Sequence, residues 1–153
     1  MQSCRCCGQR EGRSLIAGIG VDLVDVPRME RLLSRRSAGK FISKVFSAEE
    51  IAVSEKAASP AQAYAARFAA KEALVKALGT GFSRGITPGQ IHMVGGERSK
   101  PRIELVGAAS REAGALRVTA IHVSVTHTAQ SACAVVVLEK DTDFSHHRDS
   151  TVR

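Results

Sequence analysis

The segment PAQAYAARFAAKEALVKALG, residues 60–79, restricts the possible folds more than any other stretch of the chain. Alanine is the best helix former, and this run is broken by neither Gly nor an internal Pro. Ser59 and Pro60 mark a helix start, and Gly79 is a natural stop, so the spacing predicts one long helix over 60–78. On a helical wheel Ala65, Ala66, Ala69, Ala70, Ala73 and Ala77 share one side. Tyr64, Phe68, Leu74, Val75 and Leu78 share the other, with Arg67 and Lys71 inside the same arc and Glu72 and Lys76 along its flank. A surface helix ordinarily keeps its charges apart from its large apolar residues. The small side is therefore expected to press on a sheet, leaving a mixed face for something else. Either Arg67 and Lys71 extend their heads to water, or the charged flank lines an anion- or metal-binding cleft.

The rest of the chain supplies the sheet. Residues 15–24, LIAGIGVDLV, are short, apolar and β-branched, which predicts a buried strand. Asp25 can cap the next segment, where Pro27 suits a first helical turn and Met29, Leu32 and Leu33 form a stripe. Ser47 and Glu50 have capping-box spacing, so another helix should open near Ala48. Residues 90–94 and 102–106 alternate as strands do, 110–114 suit a short helical turn, and 122–126 with 132–139 predict a closing antiparallel pair. Helices and strands come in separate groups, which favours an α+β single domain, a long Ala-rich helix packed on a mainly antiparallel sheet.

A chain of 153 residues suffices for one core. The folded body is expected at 14–140, between a polar tail at 1–13 and another at 141–153. No run reaches the roughly 20 apolar residues of a membrane helix. The opening MQSCRCCGQREGR has no apolar h-region, so no secretory leader is expected and the cytoplasm is the expected compartment. Cys4 and Cys7 have the spacing of half a zinc site, but no second pair or nearby His completes it. Those thiols, Cys6, and the tail residues His146 and His147 are expected to be incidental, and Cys133 to act as a small buried hydrophobe.

A net charge of +7 and a pI near 9.7 point to polyanionic partners. The charge is concentrated: Arg28, Arg31, Arg35, Arg36, Lys40 and Lys44 face Glu30 alone within 28–44. Charge alone leaves a solvated basic face and a nucleic-acid patch equally open. With 4% aromatics and no Trp, however, a base-stacking surface is poorly supplied. Two acids also stand out. Asp22 interrupts the apolar strand and Glu72 lies beside aromatics, so both need a partner or a cation. Each alone reads as a salt-bridge partner, with Lys76 one turn on from Glu72; together, two hard oxygen ligands suit Mg²⁺ that completes its sphere with phosphate.

Three motifs in this order, GIGVDLV (18–24), RFAAKEALVKALGTG (67–81) and HVSVTHT (122–128), resemble the 4′-phosphopantetheinyl transferases of the short holo-acyl-carrier-protein synthase type. The resemblance implies transfer of the phosphopantetheine arm of coenzyme A to a serine of an apo-acyl carrier protein, of fatty-acid or polyketide synthesis, with release of adenosine 3′,5′-bisphosphate. It implies Mg²⁺ on Asp22 and Glu72, with Lys76 on the pyrophosphate. It also places Arg67, Lys71, Gly79, Thr80, Gly81, His127 and Thr128 near coenzyme A. Longer family members carry a second acid two residues after the first; here that position is Val24, as in the short branch. Glu72 is the expected general base, acting directly or through water, since no His lies in either metal-ligand motif. Arg28, with Arg31 and Arg35, is expected to dock the acidic carrier. A catalytically silent coenzyme A sensor is the rival reading, and the intact trio of Asp22, Glu72 and Lys76 counts against it. The acid and histidine motifs lie at opposite ends of the body, so the resemblance further implies a homotrimer with sites between subunits, for which the second face of the long helix is a candidate interface.

Overall fold

The computed structural model describes residues 14–96 and 99–141. Strand β1 (Ser14–Asp25) leads into helices α1 (Val26–Leu33), α2 (Ala38–Val45), α3 (Ala48–Glu55) and the long α4 (Pro60–Ala77). A 3₁₀ turn (Pro88–Gln90) then enters β2 (Ile91–Gly96) and β3 (Ser99–Leu105), followed by α5 (Gly107–Ala115), β4 (Val118–His127) and β5 (Ser131–Asp141). The chain is an α+β single domain with two antiparallel sheets, ordered β1-β5-β4 and β2-β3.

Helix α4 lies across β1 and β5 through its alanine side, as its sequence predicts. Ala65, Ala69 and Ala73 are fully buried, and the strand yields to them with glycine. A Cβ on Gly18 would sit 2.0 Å from the Ala77 carbonyl oxygen, and one on Gly20 would sit 1.9 Å from that of Ala73. Helix and strand backbones therefore touch, with no room for a methyl group between them. Ala134, Val136 and Leu138 of β5 complete this layer with Leu74 and Val75. Each fully buried Leu or Val contributes roughly 1.5–3 kcal/mol of transfer free energy. A second cluster, including Val26, Met29, Phe46, Tyr64 and Ala132, packs α1 and α2 on the first half of α4.

The caps behave as their residue types require. Asp25 Oδ1 accepts the Arg28 amide at 2.6 Å to open α1, and Ser47 and Glu50 form both bonds of a capping box. Ser59 makes no side-chain cap bond, so Pro60, with its fixed φ, opens α4 instead.

Several expectations change. Strand β1 is an edge strand covered on one face only: Ile19, Val21 and Leu23 point outward at 61, 55 and 67% exposure. Cys133 is half-buried on that outer face, because β5 turns Ala132 and Ala134 inward. The basic stretch folds as two helices, α2 following Ser37, which makes no side-chain cap bond. The mixed face of α4 is not left open either, since Tyr64, Arg67, Lys71, Leu74 and Val75 are all buried. Cys4, Cys6, Cys7, His146, His147 and, apart from Asp141, both expected tails lie outside the described residues.

Candidate active site

Strand periodicity turns Gly18, Gly20, Asp22 and Val24 toward α4, and the two glycines bring α4 close enough for its side chains to reach Asp22. Lys76 Nζ meets Asp22 Oδ1 at 2.7 Å and the Val21 carbonyl at 3.2 Å. The Lys76 side chain is half exposed while that of Asp22 is 15% exposed, so the acid is the enclosed partner. The hydrogen bond to Asp22 holds the Lys76 ammonium above the ordinary lysine range. Glu72 lies one turn before Lys76 on the same flank.

Asp22 and Glu72 border a cleft of about 550 Å³ between β1, α1, α2 and α4. Asp25 and Arg28 also line it, and its other wall is apolar, built from Met29, Leu32, Phe41 and Phe68. Burial pushes the Glu72 carboxyl above the usual carboxylate range; the charge of Asp22 adds to this and Lys76 opposes it. Two neighbouring carboxylates, one of which feels the charge of the other, form a site suited to a cation. Among the described residues no group of three His, Cys, Asp or Glu could hold a metal. The chain thus offers a pair of hard oxygen donors, leaving most of an octahedral sphere to water and phosphate, the donor set that Mg²⁺ accepts.

The other sequence-derived residues divide sharply. Arg28, Arg31 and Arg35 are exposed, with Arg28 at the cleft edge. Arg67 is 6% exposed and donates to the Ala63 carbonyl at 3.2 Å, one turn back. Lys71 does not reach the cleft. It is fully enclosed, with Nζ 2.8 Å from Glu50 Oε2, because the α3 capping box presents Glu50 to the interior. Gly79 and Gly81 take φ of +72° and +59° where the chain leaves α4, and the Thr80 and Gly81 amides are both engaged by the Val75 carbonyl. His127 is exposed at the end of β4, in register with Ala132, and does not line the cleft. Thr128 closes the β4–β5 hairpin by accepting from the Gln130 and Ser131 amides, while its carbonyl takes Gln62 Nε2 at 3.3 Å. Glu50 was legible as a cap and not as the partner of Lys71.

The chain has counterparts among known proteins. Residues 18–145 match the 4′-phosphopantetheinyl transferase superfamily, and the chain belongs to it. The relatives are holo-[acyl-carrier-protein] synthases. That of Desulfovibrio desulfuricans is 47% identical over 125 residues, covering 82% of this chain and 98% of its own. The crystal structure of the Neisseria meningitidis synthase superposes with a TM-score of 0.73 at 30% identity, covering 82% of this chain and all of that one. The Bacillus anthracis synthase, solved in complex with coenzyme A (3′,5′-ADP), gives 0.66 at 31% identity, covering 82% and 97%.

Proposed function

We propose that this holo-[acyl-carrier-protein] synthase carries out its transfer at the cleft between Asp22 and Glu72, as a Mg²⁺-dependent enzyme. The observation that carries the reading is the convergence of Asp22 and Glu72, from separate motifs, on one cleft, with Lys76 bonded to Asp22 beside it. In the reaction a serine hydroxyl of the apo-carrier attacks the β-phosphorus of coenzyme A. The new O–P bond forms as the bond to the bridging oxygen breaks, and adenosine 3′,5′-bisphosphate leaves with that oxygen. Asp22 and Glu72 would hold Mg²⁺, and the ion would supply charge neutralisation at the pyrophosphate. Lys76, half exposed beside Asp22, would exchange that acid for a phosphate oxygen and stabilise the departing charge. Glu72, at the cleft edge, would take the serine proton directly or through water. Met29, Leu32, Phe41 and Phe68 exclude water beside the reacting atoms.

Arg28, Arg31 and Arg35 dock the acidic carrier, and Arg28 adjoins the cleft, so steering and delivery of the serine share one surface. The neighbouring molecule of a homotrimer supplies His127 and Thr128. Two observations support this: His127 is absent from the cleft of its own chain, and β1 with Val135 exposes Ile16, Ile19, Val21 and Leu23 on the outer face of one sheet. A connected aliphatic surface of this extent marks an interface, and it replaces the long helix as the candidate. Among the described residues no helix is long and apolar enough to cross a membrane; we place the protein, with its partners coenzyme A and carrier, in the cytoplasm.

The test is incubation with apo-carrier, coenzyme A and Mg²⁺, followed by mass spectrometry of the carrier. A mass gain of one phosphopantetheine that is lost on chelation and in Asp22→Ala is expected. Binding of coenzyme A without any gain would instead support the sensor reading.

A further inference from the structure

One charged cluster is not used by the reaction. Glu50 and Lys71 are 1% and 0% exposed, behind the cleft. Lys71 lies two residues, hence about 200°, round α4 from Ala73 and its strand contact. Its Nζ donates to Glu50 Oε2 at 2.8 Å, to the Pro88 carbonyl at 3.2 Å and to the Ile91 carbonyl. Three acceptors match the three N–H bonds of an ammonium. Glu50 is fixed from its own side, Oε2 accepting the Ser47 amide at 2.8 Å and Oε1 the Met93 amide at 3.1 Å. The pair therefore ties the start of α3, the middle of α4 and the entry to β2.

Two links run from the pair to the cleft. Lys71 and Glu72 are consecutive, so the direction of one around the helix sets that of the other. Lys71 Nζ also sits 5.3 Å from the Phe46 ring centroid, Phe46 packs edge-on at 6.0 Å against Phe41, and Phe41 lies 6.2 Å from Phe68. Phe41 and Phe68 are the aromatic part of the apolar wall.

A buried ion pair is a weak stabiliser, because desolvating two charges offsets most of their attraction, and apolar replacements of similar volume are often neutral. Its directional bonds instead select one geometry. The alanine–glycine contact sets how near α4 lies to β1, but a smooth surface of methyl groups resists rotation poorly. We propose that Glu50 and Lys71 are a positioning pair that fixes the rotation of α4 about its axis, aiming Glu72 into the cleft and bracing the Phe41–Phe68 wall. The inference rests on the assignment of Glu72 to the reacting centre.

The test combines Glu50→Leu/Lys71→Met, the single variant Glu50→Gln and the control Glu72→Gln, each read by thermal unfolding and by steady-state kinetics per titrated active site. The double variant is expected to melt lower, because it leaves the Met93 amide and the Pro88 and Ile91 carbonyls without their partner, and kcat per folded active site is expected to fall by on the order of 10–10²-fold with KM for coenzyme A nearly unchanged. A purely structural pair would change the folded fraction and leave kcat per site intact. Wild-type kcat in the folded double variant overturns the proposal. If that variant does not fold, Glu50→Gln decides: a several-fold fall in kcat supports the pair, and unchanged kcat overturns it. Wild-type kcat in Glu72→Gln removes the assignment of Glu72 and the proposal with it, whereas an inactive Glu72→Gln beside an intact double variant removes the pair alone.

Discussion

Glu72 works against its own ionisation. Burial and Asp22 raise its pKa in the folded chain, so between the unfolded and folded values the native state binds more protons. Stability from this group is therefore lost as pH rises through that window. In metal-free protein Glu72→Gln is expected to melt higher than wild type at neutral pH, with the advantage vanishing toward pH 4, as scanning calorimetry across pH would record. Added Mg²⁺ should raise the melting temperature of wild type and leave Glu72→Gln and Asp22→Ala unmoved, since only a site with both acids gains by mass action. Each of these variants is expected to lower kcat by roughly 10²–10³-fold, the scale of a lost electrostatic contact in a transition state. Retention of turnover in either would remove that acid from the centre.

Among the elements, the contact of α4 with β1 controls the most. Gly20→Ala drives a methyl group onto the Ala73 carbonyl, and backbone must shift to admit it. A loss of about 3 kcal/mol or more in urea unfolding is expected, at the upper end for overpacked cores. Gly39, in α2, should behave oppositely, because a Cβ added there would meet nothing within 4 Å. Gly39→Ala is expected to add roughly 0.5–1 kcal/mol by helix propensity. Much of this was legible beforehand. The alanine stripe, the Asp25 and Ser47 caps and the β4–β5 pair follow from local patterns that tertiary contacts reinforce. The exposure of β1 was not legible, because an apolar strand reads alike whether its outer face meets protein or water. Nor was the burial of Lys71, whose partner Glu50 is 21 residues away in sequence and serves a local cap as well.

At the scale of the assembly, the separation of His127 from the cleft leads to a complementation experiment. Asp22→Ala and His127→Ala subunits, each inactive alone, should recover about one quarter of wild-type activity when mixed equally, since each junction in a cyclic trimer needs one intact acid motif and one intact histidine motif. No recovery despite proven exchange would place the whole site in one chain. Charge reversal at Arg28 is expected to raise KM for the carrier by about tenfold, with coenzyme A binding little changed, and the effect should shrink in high salt. Equal damage to both substrates would argue against a separate docking face. The notch formed by Gly18 and Gly20 has a bearing on how such a chain can vary through descent. Every other amino acid is larger than glycine, so mutation at these two sites can only wedge the helix away from the strand. The spacing between the acids is thereby guarded at positions that have no side chain, and drift in catalytic power can begin where no reacting group is touched.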